Sequence, residues 1–383
     1  MKPIQSIQRL LQVVFLLFLL TACSVPQVSA ETRMFPNMSL DFLGSADLPT
    51  VHLSGISYQL QGYSSSTTPG VHLYGVSEAV NPAEEIAIYQ LQLDLENFLE
   101  ATTEPSPFTV EAIIPLKDQS AQPFNGETLQ LESIAFTPRD SVFIAAEDLQ
   151  ESYNIPLIGE FDLQTGQLKN TVPLPPNYRP QTDEELPQGI QPNFGFRSLT
   201  IAPDGFSQGG LDPFRLFTTT AAPLFQDLDA DATQLRVLHY VIADRASFLV
   251  SENLYSLDST PATDSPSRLV EIIALPESGH FLSLERSQTD SGYHGKLYQV
   301  FTGNATDTSK IASLRKPISI VQPLQKKLLF DLDRLNLPAQ RFDGMTLGPK
   351  LANGEQSLIL ISNDPDDTTS STQFLLFSIK QDA

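Results

Sequence analysis

A six-residue pattern recurs five times along the chain, and it limits the fold more than any other feature. Its order is apolar, polar, variable, apolar, small, apolar. The copies are residues 53–58, 131–136, 196–201, 270–275 and 342–347, the fourth the weakest, with first residues 78, 65, 74 and 72 apart. A unit that returns at such a period cannot bury its own apolar face alone, so neighbours must pack against one another around a shared core.

Each copy is followed by further short apolar, β-branched or aromatic runs between turn residues, the pattern of an all-β chain. Second strands are predicted at 73–78, 142–147, 216–220, 281–285 and 358–364. Third strands fall at 86–93, 157–163, 235–242, 296–301 and 373–379, and outer strands at 108–116, 168–174, 247–254 and 326–332. The best helix candidate is 83–99, although alternation through Ile86-Ala87-Ile88-Tyr89-Gln90-Leu91 favours a strand even there. Four strands per period, repeated radially, describe an all-β β-propeller of five or six four-stranded blades. The last period lacks a fourth strand, and residues 34–43 are placed to supply it and close the ring. A pair of β-sandwiches is the alternative.

Residues 1–23 carry the three parts of an export signal: Lys2 and Arg9, an apolar run from Leu10 to Leu20, and Leu20-Thr21-Ala22-Cys23. The run is shorter than the 20 or so residues that span a bilayer. Small residues before the only cysteine resemble a lipobox, with Cys23 the lipidation site and the membrane reached through a lipid anchor. Ser24 after it points to an outer-membrane lipoprotein of the cell envelope, facing the periplasm or the exterior. Val28-Ser29-Ala30 offers a rival cleavage site that would release a soluble periplasmic protein.

With Cys23 used, disulfides and cysteine-zinc sites are excluded. The histidines at 52, 72, 239, 280 and 294 show no metal-binding spacing. A net charge of −22 repels nucleic acid, so no such partner is expected. No serine-hydrolase elbow, phosphate-binding loop or dinucleotide fingerprint is present. The chain is read as a monomer.

If the repeat is the innermost strand, its second position stands at one height in every blade: Ser54, Glu132, Arg197, Glu271 and Asp343. Second-strand ends add Glu78, Glu147, Asp148, Glu285, Arg286 and Asp364. One face then carries clustered carboxylates with two arginines, and clustered carboxylates suit Ca²⁺, which takes six to eight oxygens. A bound cation would attract a phosphate and polarise it. Acidic residues at strand ends also cap turns or pair with arginine, which is the plainer reading. Asp364-Pro365-Asp366-Asp367 and Asp227-Leu228-Asp229-Ala230-Asp231 resemble cation loops, the second without the later glycine and glutamate that an EF-hand needs.

At these repeats the chain resembles the phytase-like family, described as having esterase-like activity of phytase. The segments that carry it are Leu53-Ser54-Gly55-Ile56, Leu131-Glu132-Ser133-Ile134-Ala135, Asn193-Phe194-Gly195-Phe196-Arg197-Ser198-Leu199, Leu284-Glu285-Arg286, Phe342-Asp343-Gly344-Met345-Thr346-Leu347-Gly348-Pro349 and the stretch from Leu358 to Asp364. The implied organisation is a signal with lipobox at 1–23, a linker at 24–33 and a phytase-like domain at 34–383. The resemblance implies a hydrolase of phosphoric esters with Ca²⁺ held by Glu132, Glu147, Asp343 and Asp364, Glu285 as base or ligand, and Arg286 on a phosphate oxygen. Two positions depart from the family pattern: Arg197 stands where it has glutamate, reversing the charge, and Asp343 is shorter by one methylene. The other reading is a non-catalytic propeller that binds a ligand or protein.

Overall fold

Strand β2 (Leu53–Tyr58) shows how the repeat builds the fold. It hydrogen-bonds to β3 (Val71–Ser77), then come β4 (Ala87–Leu93) and β5 (Phe108–Pro115), all antiparallel, as blade one. Blade two is β6 (Leu129–Phe136), β7 (Ser141–Asp148), β8 (Ile155–Asp162) and β9 (Leu168–Thr171). Blade three is β10 (Phe196–Ile201), β11 (Phe214–Thr220), β12 (Gln234–Ile242) and β13 (Ser247–Ser256). Blade four is β14 (Ser265–Ala274), β15 (His280–Thr289), β16 (Gly292–Phe301) and β17 (Gln325–Asp331). Blade five is β18 (Arg341–Lys350), β19 (Gln356–Asn363) and β20 (Thr372–Gln381), completed on its outer edge by β1 (Met38–Leu48). The protein is thus a five-bladed β-propeller, closed by the first strand among the described residues.

The structure is a computed structural model, and it describes residues 35–59, 70–77, 83, 85–100, 106–149, 155–181, 187–203, 212–229, 232–244, 246–259, 265–315, 320–337, 341–363 and 371–381. The export signal, Cys23, Glu78 and Asp364 with the acidic run after it lie outside these residues. Residues 38–383 form one compact unit. The helix candidate resolves into β4 and one short helix, Leu95–Leu99, whose first turn is capped by the Asp94 carboxylate accepting from Asn97 N–H at 3.1 Å. No helix among the described residues is long and apolar enough to cross a membrane.

Strand alternation explains the core. Leu358 and Leu360 point toward blade four, while Ile359 and Ile361 point toward blade one. Each of the five gaps between adjacent blades is filled by one apolar cluster of this kind. A fully buried leucine contributes about 1.5–3 kcal/mol, so the interfaces dominate stability and no blade has a core of its own.

The inner strands are free on their axial side, and their unpaired N–H groups need acceptors. Neighbouring blades supply them. Ser57 Oγ accepts from Phe136 N–H at 2.9 Å, Thr200 Oγ1 from Ala274 N–H at 3.0 Å, and Thr346 Oγ1 from Tyr58 N–H at 3.1 Å. One step along the strands, Ser133 Oγ accepts from Leu199 N–H at 3.2 Å and Ser198 Oγ from Ile272 N–H at 2.9 Å. The small position of the repeat is therefore an inter-blade hydrogen-bond donor–acceptor seam as well as a concession to crowding.

The same register corrects the fourth copy. In four blades the pairing to the second strand skips the second residue of the repeat, leaving Ser54, Glu132, Arg197 and Asp343 as β-bulges. In blade four the skipped residue is Val270, between Leu269 and Glu271. The repeat there runs 269–274, one residue earlier than the sequence predicts. Glu271 consequently sits at the third position, alongside Gly55, Ser133, Ser198 and Gly344, and its side chain enters the axis rather than the mouth.

Candidate functional site

The bulge re-aims Glu132, Arg197 and Asp343 toward the end of the axis where second strands finish. On this mouth, Arg197 of β10 reaches both ways. It pairs with Glu132 of β6, and its second nitrogen donates to Asp343 Oδ1 of β18 at 3.2 Å. Asp343 is fully buried at its side chain and collects more donors. Arg286 NH1 lies at 2.7 Å, Arg341 Nε at 2.9 Å and Asn363 Nδ2 at 2.7 Å. Burial alone would raise the Asp343 pKa. Arg286, Arg341 and Arg197 outweigh that and hold it below the usual carboxylate range.

A fourth arginine, Arg268, completes the group. It stacks over the Phe194 ring at 4.6 Å and lies close enough to Arg197 to feel its charge. Burial first, and then the like charge of Arg197, lowers the pKa of Arg268. Burial also lowers that of Arg286, with Arg197 and Arg341 adding to the fall and Asp343 opposing it. Among the described residues, Arg197, Arg268, Arg286 and Arg341 thus gather around Glu132 and Asp343.

The sequence-predicted residues are only partly brought together. Glu132, Asp343, Arg197 and Arg286 converge. Glu147 is buried at the end of β7, where its Oε1 accepts from Gly195 N–H at 2.6 Å. Glu285 is buried over blade four and held by Tyr255 O–H at 2.6 Å, Asp258 N–H at 3.0 Å and Lys326 Nζ at 2.5 Å. It is an ion-paired anchor of blade four. Asp227 is likewise buried, in a network where Arg236 Nε donates at 2.5 Å and Leu314 N–H at 2.7 Å, so the acidic alternation there fastens the loop before β17 to blade three.

Among the described residues the expected ligands are not assembled as a calcium set. Of the four expected ligands, Glu132 faces Arg197, Asp343 faces three arginines, Glu147 accepts a backbone N–H, and Asp364 is outside the described residues. Among the described residues no group of three or more His, Cys, Asp or Glu side chains stands close enough to hold a metal ion. A guanidinium cannot ligate a cation and repels it.

Below the mouth, Glu271 plugs the axis. Its Oε2 accepts from Ser133 Oγ at 3.1 Å, and its Oε1 accepts from Leu199 N–H and Ile272 N–H, each at 3.2 Å. Burial pushes its pKa up to about 8 despite those bonds. The far end of the axis is a shallow apolar depression ringed by Ile56, Ile134, Leu199, Ile273 and Met345. Beside the arginine mouth, a polar cavity opens over blade four, lined by Asp258, Glu285, Arg286, Lys296 and Asp333.

A family model described as "Phytase-like: Esterase-like activity of phytase" matches residues 58–365. The chain belongs to this phytase-like family. No curated protein sequence matches it. Solved structures that resemble it include the catalytic domain of Coprinopsis cinerea GH62 alpha-L-arabinofuranosidase, at 10% identity, 88% of this chain, 97% of that chain and a TM-score of 0.43. The GH43 endo-arabinanase from Bacillus licheniformis has 11% identity, the same coverages of 88% and 97%, and a TM-score of 0.43.

Two residues at the mouth escaped the sequence reading. Arg341 stands immediately before the fifth copy, and Arg268 immediately before the fourth once that copy is set at 269–274. The signal for Arg268 was hidden by the one-residue slip.

Proposed function

We propose that this phytase-like propeller binds a phosphoric ester at its arginine mouth. The observation that carries the reading is the convergence of Arg197, Arg268 and Arg286 at one end of the axis, with Arg268 stacked on the Phe194 ring and lying near Arg197. An anion relieves the mutual repulsion of the arginines, and a guanidinium offers a phosphoryl group paired N–H donors. Titration calorimetry with inorganic phosphate tests it. The parent binds, binding weakens as salt rises, and Arg268→Gln weakens it at least tenfold. A parent that gives no heat with phosphate at low salt overturns the reading.

Hydrolysis of that ester is the second reading, favoured by the family's description. Its difficulty is the base. Asp343 is held as a poor proton acceptor by its arginines, and Glu285 is committed to Tyr255 and Lys326. Turnover of a chromogenic phosphate ester that requires millimolar Ca²⁺ would favour it, whereas binding without turnover leaves the non-catalytic reading. We place the protein in the cell envelope, held by a lipid on Cys23. Cys23→Ser leaving the membrane fraction supports this, and a variant that still partitions with membranes refutes it.

A further inference from the structure

The polar cavity over blade four carries an arrangement that the arginine mouth does not use. Strands β15 and β16 are joined by the two-residue turn Asp290-Ser291, with Thr289 paired to Gly292. His294 follows on β16, and Asp333 comes from the short 3-10 turn Leu332–Leu335 after β17. His294 Nδ1 meets Asp333 Oδ2 at 2.7 Å. On the other side of the ring, Nε2 meets Thr289 Oγ1 at 2.9 Å and Ser291 Oγ at 3.2 Å. A carboxylate at Nδ1 selects the tautomer, so Nδ1–H donates and Nε2 is left to accept. Hydroxyl, imidazole and carboxylate then follow one another in hydrogen-bond contact. That is the relation between a nucleophile, its base and the group that orients the base, and it is set by geometry rather than by a sequence elbow.

The geometry points to a Ser291–His294–Asp333 triad that hydrolyses a carboxylic ester held in this cavity. Of the two hydroxyls on Nε2, Ser291 is the nucleophile. It is a primary alcohol exposed to an incoming carbonyl, whereas Thr289 Oγ1 accepts from Ser291 N–H at 3.1 Å and holds the turn. Ser291 Oγ attacks the carbonyl carbon as its proton passes to His294 Nε2. The C–O bond to the alcohol breaks, and the alcohol leaves with that proton. Water then attacks the acyl-serine, giving a proton to Nε2, and the carboxylic acid departs as the proton returns to Ser291 Oγ. One ester and one water become one acid and one alcohol. Asp333 is a positioning residue that acts through His294. Lys296 lies two residues beyond His294 on the same face of β16 and lines the same cavity, a positive charge for the oxyanion of the tetrahedral intermediate.

The lining sets the substrate class. Thr289, His294, Lys296 and Asp333 share the cavity, about 710 Å³ to its open rim, with Ser267 and Arg286. Every described residue that lines it is polar or charged. Such walls suit a polar alcohol and a short acyl group, because a fatty chain would find no apolar surface to bury. No anion at the mouth takes part, so this site and the phosphate-binding reading stand or fall separately.

The test uses the full-length protein. It turns over p-nitrophenyl acetate, and p-nitrophenyl palmitate more slowly. Ser291→Ala lowers kcat/KM for the acetate by about a hundredfold or more, with the melting temperature unchanged because Ser291 is exposed at a turn. Asp333→Asn lowers kcat by about tenfold or more and leaves KM as it was. A fluorophosphonate probe, which bonds to activated serines, labels Ser291 as located by peptide mass. His294→Gln abolishes the label and Thr289→Val retains it. A parent without acetate turnover, a label that is absent, survives His294→Gln or falls on another residue, or a preference for palmitate overturns the inference.

Discussion

Arg197 of blade three and Asp343 of blade five meet across the mouth with NH2 and Oδ1 at 3.2 Å, although 146 residues separate them. The same guanidinium holds Glu132 of blade two, so one side chain ties three blades.

Removing the acceptor is costly. Asp343→Asn leaves Arg197, Arg286 and Arg341 facing one another in a desolvated site. Breaking a buried pair from one side costs about 3–5 kcal/mol, and differential scanning calorimetry should show a drop of several degrees. The pH dependence has a definite sign. The folded pKa of Asp343 lies below its ordinary 3.8, so its contribution is complete above that value and fades as pH falls through the lower, folded one. The variant lacks that acid-side loss.

Glu271 behaves in the opposite way. Its folded pKa of about 8 lies above the ordinary 4.5. The protonated form is favoured in the fold, so the contribution is complete below 4.5 and lost as pH rises through 8. Between those limits the slope is about 1.4 kcal/mol per pH unit. Denaturant unfolding at pH 5 and pH 9 should show the parent losing stability and the Glu271→Gln variant changing far less, with the variant the more stable at pH 9. Equal losses in both proteins would show that Glu271 does not titrate in this window.

The inter-blade hydroxyls can be removed one at a time. Ser57→Ala deprives Phe136 N–H of its acceptor at a buried interface, where an unsatisfied donor costs about 1–3 kcal/mol. Thr346→Ala does the same to Tyr58 N–H. Urea midpoints should fall for each with the slope unchanged.

Gly195 is tested by adding a methyl group. A Cβ there would lie 2.6 Å from Glu147 Oε1 and 2.9 Å from its Cγ. Glu147 is buried and cannot swing into water. Gly195→Ala should therefore destabilise by about 1–3 kcal/mol, read from thermal melts, and Gly195→Ser no less.

Strand spacing was the legible part of this chain. Residues 53–58 and 196–201 are inner strands to the residue, because polar and small positions flank their apolar ones and permit one register only. The closing strand was also visible, placed at 34–43 and found at Met38–Leu48. Blade four was misread for a physical reason. Leu269-Val270-Glu271-Ile272-Ile273-Ala274 is apolar on both sides of its glutamate, so a slip of one residue still satisfies the pattern. What marks the true register is a serine–backbone seam between blades, and Glu271 replaces the small residue that would have displayed it. The place of Arg268 at the mouth was beyond the same reading, since it follows from that corrected register.

The outer strand of blade five is made first, and the three strands it completes are made last. During synthesis β1 has no partner until β20 emerges, so its exposed edge must wait through four other blades. Closure of the ring is a non-local event late in folding, slow by its loop-closure entropy, and a chain truncated before β20 would expose the apolar face of Met38 and Leu40 to other copies. Completeness of the polypeptide is thereby checked by its own first strand.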